Sequence, residues 1–518
     1  MKTFRTDCLV SGSGLAGSAY ALRAASLGLS VDLLSLADPM AANSDWAQGG
    51  IIYDRTDDPQ SLARDIDEAS DRTANPLAVK HLVEEGPQAV EELLLDQLQV
   101  GFDRDTEGEL DFTREGGHSA RRIIHAKDAT GHAILSAVAA RVDAEPQITR
   151  RAGWVAIDLL TLSQNSTDLP DRYEPLTCFG AYVLDTVTGE TVAVVAKKTI
   201  LASGGLGQIF LHTTDHPGSV GHGMAMAYRV GARLIDLEYV QFHPTVFAKK
   251  NAPRFLVTEA LRGEGGVLLN ARGEPFMDTV DSRGSLASRD IVARAIKQEL
   301  AIGEESNVFL DLSAMTPDFI RDRFPTIYER CLEYGIDITK DAIPVVPAAH
   351  FACGGVHADL NGRTSVDNLN AIGETGCTGL HGANRLTSTS LLECLVSAKF
   401  TALADGADID SDTFRLPDPR EWESPTRDAD PTLISQDMLQ IQHTMWNYAG
   451  VVRSPRRLTR ARRILIELRE EVQSFYRGCR LTRNLIDLRN AIETALLVVH
   501  AASLNPRSKG CHYVVEEE

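Results

Sequence analysis

The stretch from Cys8 to Leu22 constrains this chain more than any other. Apolar Cys8, Leu9 and Val10 suit a short buried strand. Gly12, Gly14 and Gly17 follow in G-x-G-x-x-G spacing, and an alanine-rich helical run succeeds them. The first glycine permits a tight turn, the second lets the backbone approach a pyrophosphate, and the third lets helix and strand pack closely. The helix N-terminus then offers free N–H groups to phosphate. Ser30 to Leu34 supplies a second strand and completes a βαβ unit of the expected length. The acidic residue that commonly grips a ribose is missing. Ser35 closes the strand and Asp32 lies inside it, so nicotinamide specificity finds no support.

At 518 residues the chain is too long for one core, and two or three domains are expected. No run of 18 apolar residues exists, so nothing reads as a bilayer-spanning helix. Met1 to Asp7 leads straight into the first strand, which predicts a cytoplasmic protein without a signal peptide. Eight cysteines, with no C-x-x-C spacing, read as reduced thiols rather than a disulfide framework, an iron–sulfur cluster or any other metal site. The formal charge of −20 opposes nucleic acid and anionic lipid. It would also repel an anionic substrate unless a local positive pocket overcomes it.

Ala42 to Ile51 carries small and hydrogen-bonding residues ending in Gly49-Gly50, which suits a backbone running close to a flat ligand. Helical spacing from Pro59 to Leu98 predicts two or more helices covering a sheet. From Phe112 to Gly131, charged and imidazole groups crowd around a Gly-Gly pair. Strands are expected at 155–160, 178–184, 192–195 and 199–202; the last runs into Ser203-Gly-Gly-Leu-Gly207, a second edge for a cofactor site. A small-residue helix opens near Gly221, and another helix runs from Ser288 to Leu300.

Polar groups then recur in apolar, glycine-rich surroundings: Gln241-Phe-His-Pro-Thr245, Thr258-Glu-Ala-Leu-Arg-Gly-Glu-Gly265, Arg289, His350-Phe-Ala-Cys-Gly-Gly355 and His381-Gly-Ala-Asn-Arg385. Two histidines, two arginines and a threonine suit a dicarboxylate, since guanidinium forks bind carboxylates bidentately and imidazoles donate to them. They supply the positive pocket that the net charge demands. A Pro- and Asp-rich stretch at 416–431 reads as a linker, followed by three helices at 439–447, 458–475 and 484–502. Residues 451–490 hold eleven arginines against four acids. Few aromatics accompany them, so a solvated face or subunit contact is favoured over a nucleic-acid patch.

Together with the glycine fingerprint, Ala47-Gln-Gly-Gly50, the Gln241, Thr258 and His350 motifs and Gly382-Ala-Asn-Arg-Leu386 resemble the succinate dehydrogenase and fumarate reductase flavoprotein superfamily. Within it, Thr113-Arg-Glu-Gly-Gly-His-Ser119 resembles the L-aspartate oxidases. The resemblance spans nearly the whole chain. It implies an α/β (overall α+β) architecture with a Rossmann-like FAD domain in two parts, 1–236 and 352–415. A capping domain at 237–351 would interrupt it, and a C-terminal helical bundle would follow at 432–518. It also implies non-covalent FAD and oxidation of L-aspartate to iminoaspartate, the first step of de novo NAD biosynthesis. Oxygen or fumarate would accept the electrons, and quinolinate synthase is a possible recipient of the product.

Matching positions place FAD on Gly12, Ser13, Gly14, Leu15, Ala16, Gly17, Ser35, Leu36, Asn43, Ser44, Ala47, Gln48, Gly49, Gly50, Ala156, Gly204, His222, Glu374, Ser390 and Leu391. Arg385, His243 and His350 are expected to hold carboxylates, and Thr258 and Gln241 to add hydrogen bonds. Arg289 would complete the pocket, with the proton-donor role its counterpart has in fumarate reduction. Glu115 would recognise the amino group, and Arg289, His243, His350, Glu115 and Thr258 form the catalytic set. Three positions depart from the family: His222 stands for Asp, Thr389 for Asn and Leu36 for Lys. A hydrogen bond from His222 to FAD, or weaker affinity, would follow. Two rival readings are a soluble fumarate reductase or succinate dehydrogenase-type flavoprotein, with succinate or fumarate as ligand, and a non-catalytic FAD-binding partner protein.

Overall fold

The computed structural model describes residues 1–55, 58, 60–250, 252–302, 306–411 and 413–516. Pro59, where the first expected helical stretch begins, lies outside them. In chain order the site-positioning elements are β1 (Thr3–Ser11), α1 (Leu15–Ser26), β2 (Val31–Ser35), α2 (Gln60–Ala69), α3 (Pro76–Val90) and α4 (Thr130–Asp143). There follow β3 (Ile148–Ala152), β4 (Trp154–Thr161), β5 (Cys178–Asp185), β6 (Thr191–Leu201), α5 (His222–Arg229) and β7 (Val240–Phe247). Next come α6 (Arg289–Ile302), β8 (Val308–Asp311) and β9 (Ile343–Ala352), before β10 (Leu369–Ala371) and α7 (Thr389–Ser411). The chain ends in α8 (Pro431–Tyr448), α9 (Pro455–Gly478) and α10 (Arg483–Leu504).

A mixed sheet runs in the order β3-β2-β1-β6-β5-β4. The β3, β2, β1 and β6 ladder is parallel, and Ser11 lies opposite both Leu34 and Leu201, so three carboxyl ends meet at one edge. Alternation along β1 sends Cys8 and Val10 into one core and Leu9 into another. The first core is closed by α1, α2, α3, α4 and α7. The second runs without a break from β4–β6 through α5 into α8, α9 and α10, so the C-terminal helices share the sheet's own apolar interior. Asp430, Ser454 and Thr482 cap those three helices by accepting from the backbone N–H of Thr432, Arg457 and Leu485.

β6 differs from the sequence expectation of two strands at 192–195 and 199–202. It is one strand, whose first half pairs antiparallel with β5 and whose second half pairs parallel with β10. Lys198 interrupts the apolar pattern, yet it is buried, held by Asp408 at 2.7 Å and Asp405 at 3.6 Å on α7. A buried charge is tolerable when paired, and this pairing carries the strand across the break.

A separate core lies between Phe247 and Val345. There an antiparallel sheet joins β7, β9 and β8 to Val267–Leu269. The β7–β9 register shifts after Gln241 and again between His243 and Val246, where Pro244 cannot donate to the ladder. These bulges bend the strand and swing His243 toward His350, with ring centroids 5.2 Å apart. Among the described residues no helix is long and apolar enough to cross a membrane, and no cluster of His, Cys, Asp or Glu has metal-ligand geometry.

Candidate active site

One cavity opens at the carboxyl edge of the parallel strands and continues to the bulge of β7. Gly12 to Ala16, Ser35, Leu36, Asn43, Ser44, Ala47 through Gly50, Ala156, Gly204, His222, Glu374, Ser390 and Leu391 line it. Gly17 does not. Its role is packing, since a Cβ there would stand 2.0 Å from the Gly12 carbonyl oxygen. Gly12 has φ +116°, and a Cβ would meet the Ala202 carbonyl oxygen at 2.2 Å, so the turn accepts only glycine. Gly14 has space, with Ser44 Oγ 3.5 Å from its would-be Cβ, and α1 begins there with the Leu15 N–H donating to Ser44 Oγ at 3.2 Å and no cap from Gly14 itself. A pyrophosphate therefore has both room and a helix N-terminus. Ser35 Oγ is buried without a protein partner at the end of β2, a polar group awaiting a ligand. These features fit FAD.

In keeping with its place inside the strand, Asp32 is not available to a ribose, being held by Arg151 at 2.8 Å. His222 lines the cavity, but its Nδ1 accepts from Asn490 at 2.8 Å and its Nε2 lies 2.9 Å from Asp487, so both ring nitrogens are engaged within the protein. Thr389 donates to the Leu386 carbonyl at 2.7 Å and is not among the lining residues. Asp215 also lines the cavity, although no glycine or repeated motif marks it in the sequence. It accepts from the Gly207 N–H at 3.1 Å, and burial with Glu374 nearby holds its carboxyl well above the usual range. Burial raises Glu374 to about 7, against the opposing bond from the Ala352 N–H at 2.8 Å.

At the other end the cavity is lined by His243, Thr258, Arg289, His350, Arg385 and Glu115. Gln241 is fully buried behind them and touches no cavity surface. Its Oε1 accepts from Arg289 Nη1 at 3.0 Å and Arg385 Nη2 at 3.2 Å, while its Nε2 donates to Asn384 Oδ1 and the Arg385 carbonyl. Gln241 thus bridges the two guanidiniums from behind the cavity wall. Arg385 also donates to Ser390 Oγ at 2.8 Å and stacks over Phe351, 4.2 Å from the ring centroid; its buried Nε has no partner. Burial, reinforced by Arg289, lowers its pKa to about 10, still cationic at neutral pH.

Glu259, which sequence reasoning passed over within its own motif, is the counter-ion. Arg289 Nε donates to Glu259 Oε2 at 2.6 Å, and Arg262 Nη2 lies 3.2 Å from Oε1. Burial would raise the carboxyl, but Arg289 and Arg262 outweigh it and the net direction is down. Burial and Arg289 press His243 and His350 well below the ordinary imidazole pKa, so both are neutral at pH 7. His243 Nε2 is buried without a partner; when Nδ1 accepts from the Thr245 N–H at 3.3 Å, Nε2–H is free to donate to a carboxylate. His350 Nδ1 is held by Thr214 Oγ1 at 2.7 Å.

Glu115 closes the pocket, accepting from Ser388 Oγ at 2.7 Å. Ser388 sits in the left-handed region with φ +58°, a conformation that costs a non-glycine residue about 1–3 kcal/mol and turns its hydroxyl to the carboxylate. Oε1 of Glu115 stands 2.4 Å from where Gly49 would carry a Cβ, so Gly49 is required for the contact. Burial raises the Glu115 carboxyl, Ser388 opposes the rise and Glu259 adds to it.

Fold and cavity define an FAD-binding flavoprotein. Residues 7–391 match the FAD binding domain family and residues 438–517 the fumarate reductase flavoprotein C-terminal family. A mutant of E. coli quinol fumarate reductase superposes with a TM-score of 0.89 at 25% identity, covering 100% of this chain and 92% of that one. Among curated relatives, L-aspartate oxidase 1 of Ralstonia nicotianae is 44% identical over 98% of this chain and 94% of its own length. L-aspartate oxidase of Halobacterium salinarum is 44% identical over 99% and 97%. The chain belongs to the L-aspartate oxidase family.

Proposed function

We propose that the protein oxidises L-aspartate to iminoaspartate, using non-covalent FAD. The observation that carries this reading is the Glu115 carboxylate, which faces the same cavity end as Arg289, Arg385, His243 and His350 and, unlike Glu259 on that wall, has no arginine partner among the described residues. Two guanidiniums and two neutral imidazoles suit two carboxylates; the carboxylate adds a partner for an ammonium group, which succinate and fumarate lack. When bound, FAD would supply the acceptor for the hydride that leaves the substrate Cα, while the amino group gives up one proton to solvent so that the C=N bond can form. Arg385 and Arg289 hold and orient the substrate, spaced by Gln241, and the two imidazoles donate to its carboxylates. The buried chain Arg289–Glu259–Arg262 runs from the cavity wall to the Ser285 carbonyl and fixes the position of Arg289. A guanidinium is a weak acid in water, so the work of Arg289 in this reading is to bind and orient the substrate, and a proton-donor role would belong to the fumarate direction.

The same reading assigns the FAD domain to 1–236 and 352–415, the cap to 237–351 and the helical domain to 432–518. It places the protein in the cytoplasm, with oxygen or fumarate as acceptor and quinolinate synthase receiving the product. Aerobic turnover of the purified yellow protein with L-aspartate should yield peroxide and oxaloacetate; no aspartate-dependent peroxide would count against oxygen as acceptor, and no oxaloacetate with either acceptor would refute the activity. Relatives that link FAD covalently use a histidine five residues before the Gln of the Ala-Gln-Gly-Gly motif, where Asn43 stands here. Asn43 Oδ1 instead accepts from the His216 N–H at 2.6 Å and Ser219 Oγ at 3.3 Å. Acid precipitation is expected to release the yellow colour into the supernatant; colour retained by the washed pellet would show a link.

A further inference from the structure

The arginine-rich segment is not one solvated face. Arg456, Arg457, Arg460, Arg462 and Arg463 are exposed on α9, but Arg453 is fully buried, donating to the Glu238 carbonyl, and Arg483 at the start of α10 lines the cofactor cavity. We infer that α10 completes the adenosine end of the FAD site, with Arg483 as a direct ligand of the adenosine ribose hydroxyls and Asp487 as its positioning residue.

In a doubly wound sheet the ribose is held at the carboxyl end of the second strand. That end of β2 offers little here: Asp32 is consumed by Arg151, Leu36 is apolar, and Ser35 brings one buried hydroxyl without a partner. Ribose hydroxyls taken out of water need more than one partner. Arg483 lies over this end of the strand. Its Nη2 is 3.1 Å, and Leu36 Cδ1 3.5 Å, from the point where Gly218 would carry a Cβ, and all three residues line the cavity. Both oxygens of Asp487 hold Arg483 Nε at 3.0 Å, which fixes the plane of the guanidinium. Among the described residues neither Nη atom has a protein hydrogen bond, and the side chain keeps 27% of its exposure.

The support is built from one helix face. Arg483, Asp487, Asn490 and Thr494 recur at helical spacing along α10. Asp487 braces Arg483 and His222 Nε2, Asn490 bonds His222 Nδ1 and accepts from Arg229 Nη1 at 2.9 Å, and Thr494 Oγ1 donates to the Gly221 carbonyl at 3.3 Å. Cofactor binding and docking of the C-terminal helices are thereby coupled, since the ligand bridges β2 and α10.

This inference rests on FAD as the cofactor, and its test separates the two. Wild-type apoprotein should bind both FAD and ADP; if it binds neither, the FAD reading itself fails. Given that binding, Arg483→Leu should weaken FAD and ADP alike, each roughly tenfold by flavin-fluorescence titration and calorimetry, and Arg483→Lys should recover part of the loss. A Leu variant with an unchanged thermal midpoint and both dissociation constants within twofold of wild type would overturn the assignment, as would a loss for FAD without one for ADP. A second measurement needs no variant. ADP added to wild-type apoprotein should slow amide hydrogen exchange in the first turns of α10, at 483–490, and unchanged exchange there would also overturn it.

Discussion

Arg289→Lys is expected to lower kcat/KM for L-aspartate by at least on the order of a hundredfold while leaving the FAD content unchanged. The charge is kept, so the loss would come from geometry. Arg289 spends Nε on Glu259 and Nη1 on Gln241, and does so from the wall of the substrate end. A single ammonium cannot hold Glu259, reach Gln241 and present a planar fork to a carboxylate together. Each charge-assisted bond forgone is worth about 1.5–3 kcal/mol, and two of them account for the expected factor. Arg385→Lys should behave similarly, with loss of its stacking on Phe351 and its bond to Ser390. Steady-state kinetics on FAD-replete variants decide it, and near wild-type kcat/KM in both would remove these residues from the site.

Glu115→Gln should cost roughly ten- to a hundredfold in kcat/KM for L-aspartate, the worth of a charge-assisted hydrogen bond to a buried ammonium, with fumarate reduction by chemically reduced enzyme largely spared. Gln keeps the shape, and its carbonyl oxygen still accepts from Ser388, so the turn around Gly49 stays braced. A pH signature accompanies it. Because burial raises the Glu115 carboxyl, it takes up its proton at a higher pH than an ordinary carboxylate. The anionic form is the one that pairs with ammonium, so KM for aspartate should rise as pH falls through that raised pKa, and this limb should vanish in the Gln variant. Equal losses in the aspartate and fumarate assays would instead make Glu115 a brace for its Gly-Gly turn.

What was legible in the sequence was local. The glycine turn, the strand before it and the helix after it could be read because φ +116° at Gly12 and the close approach of Gly17 leave room for no other residue. The polar motifs at Thr258, His350 and Arg385 point to a shared site because charge in apolar context needs a purpose, and the fold brings them to one cavity end. Direction was not legible. Gln241 and His243 are two residues apart on one strand, yet the bulges put His243 in the cavity and Gln241 behind the arginines. Partners distant in sequence were equally hidden. Lys198 lies in the gap between two expected strands, which Asp405 and Asp408 close by pairing with it, and Arg483 belongs in sequence to an arginine-rich run, out of which α10 brings it to the cavity beside β2. His222 looked like a new donor to the cofactor, but Asn490 and Asp487 already use both its nitrogens.

The central claim is that this cavity takes two electrons from the carbon bearing an amino group, and anaerobic flavin reduction tests it most directly because no electron acceptor enters. L-aspartate added to the oxygen-free yellow protein should bleach the flavin band fully, with one oxaloacetate recovered per flavin after hydrolysis of the imine. Bleaching by succinate with none by L-aspartate would contradict the claim and make the protein a fumarate reductase or succinate dehydrogenase in function.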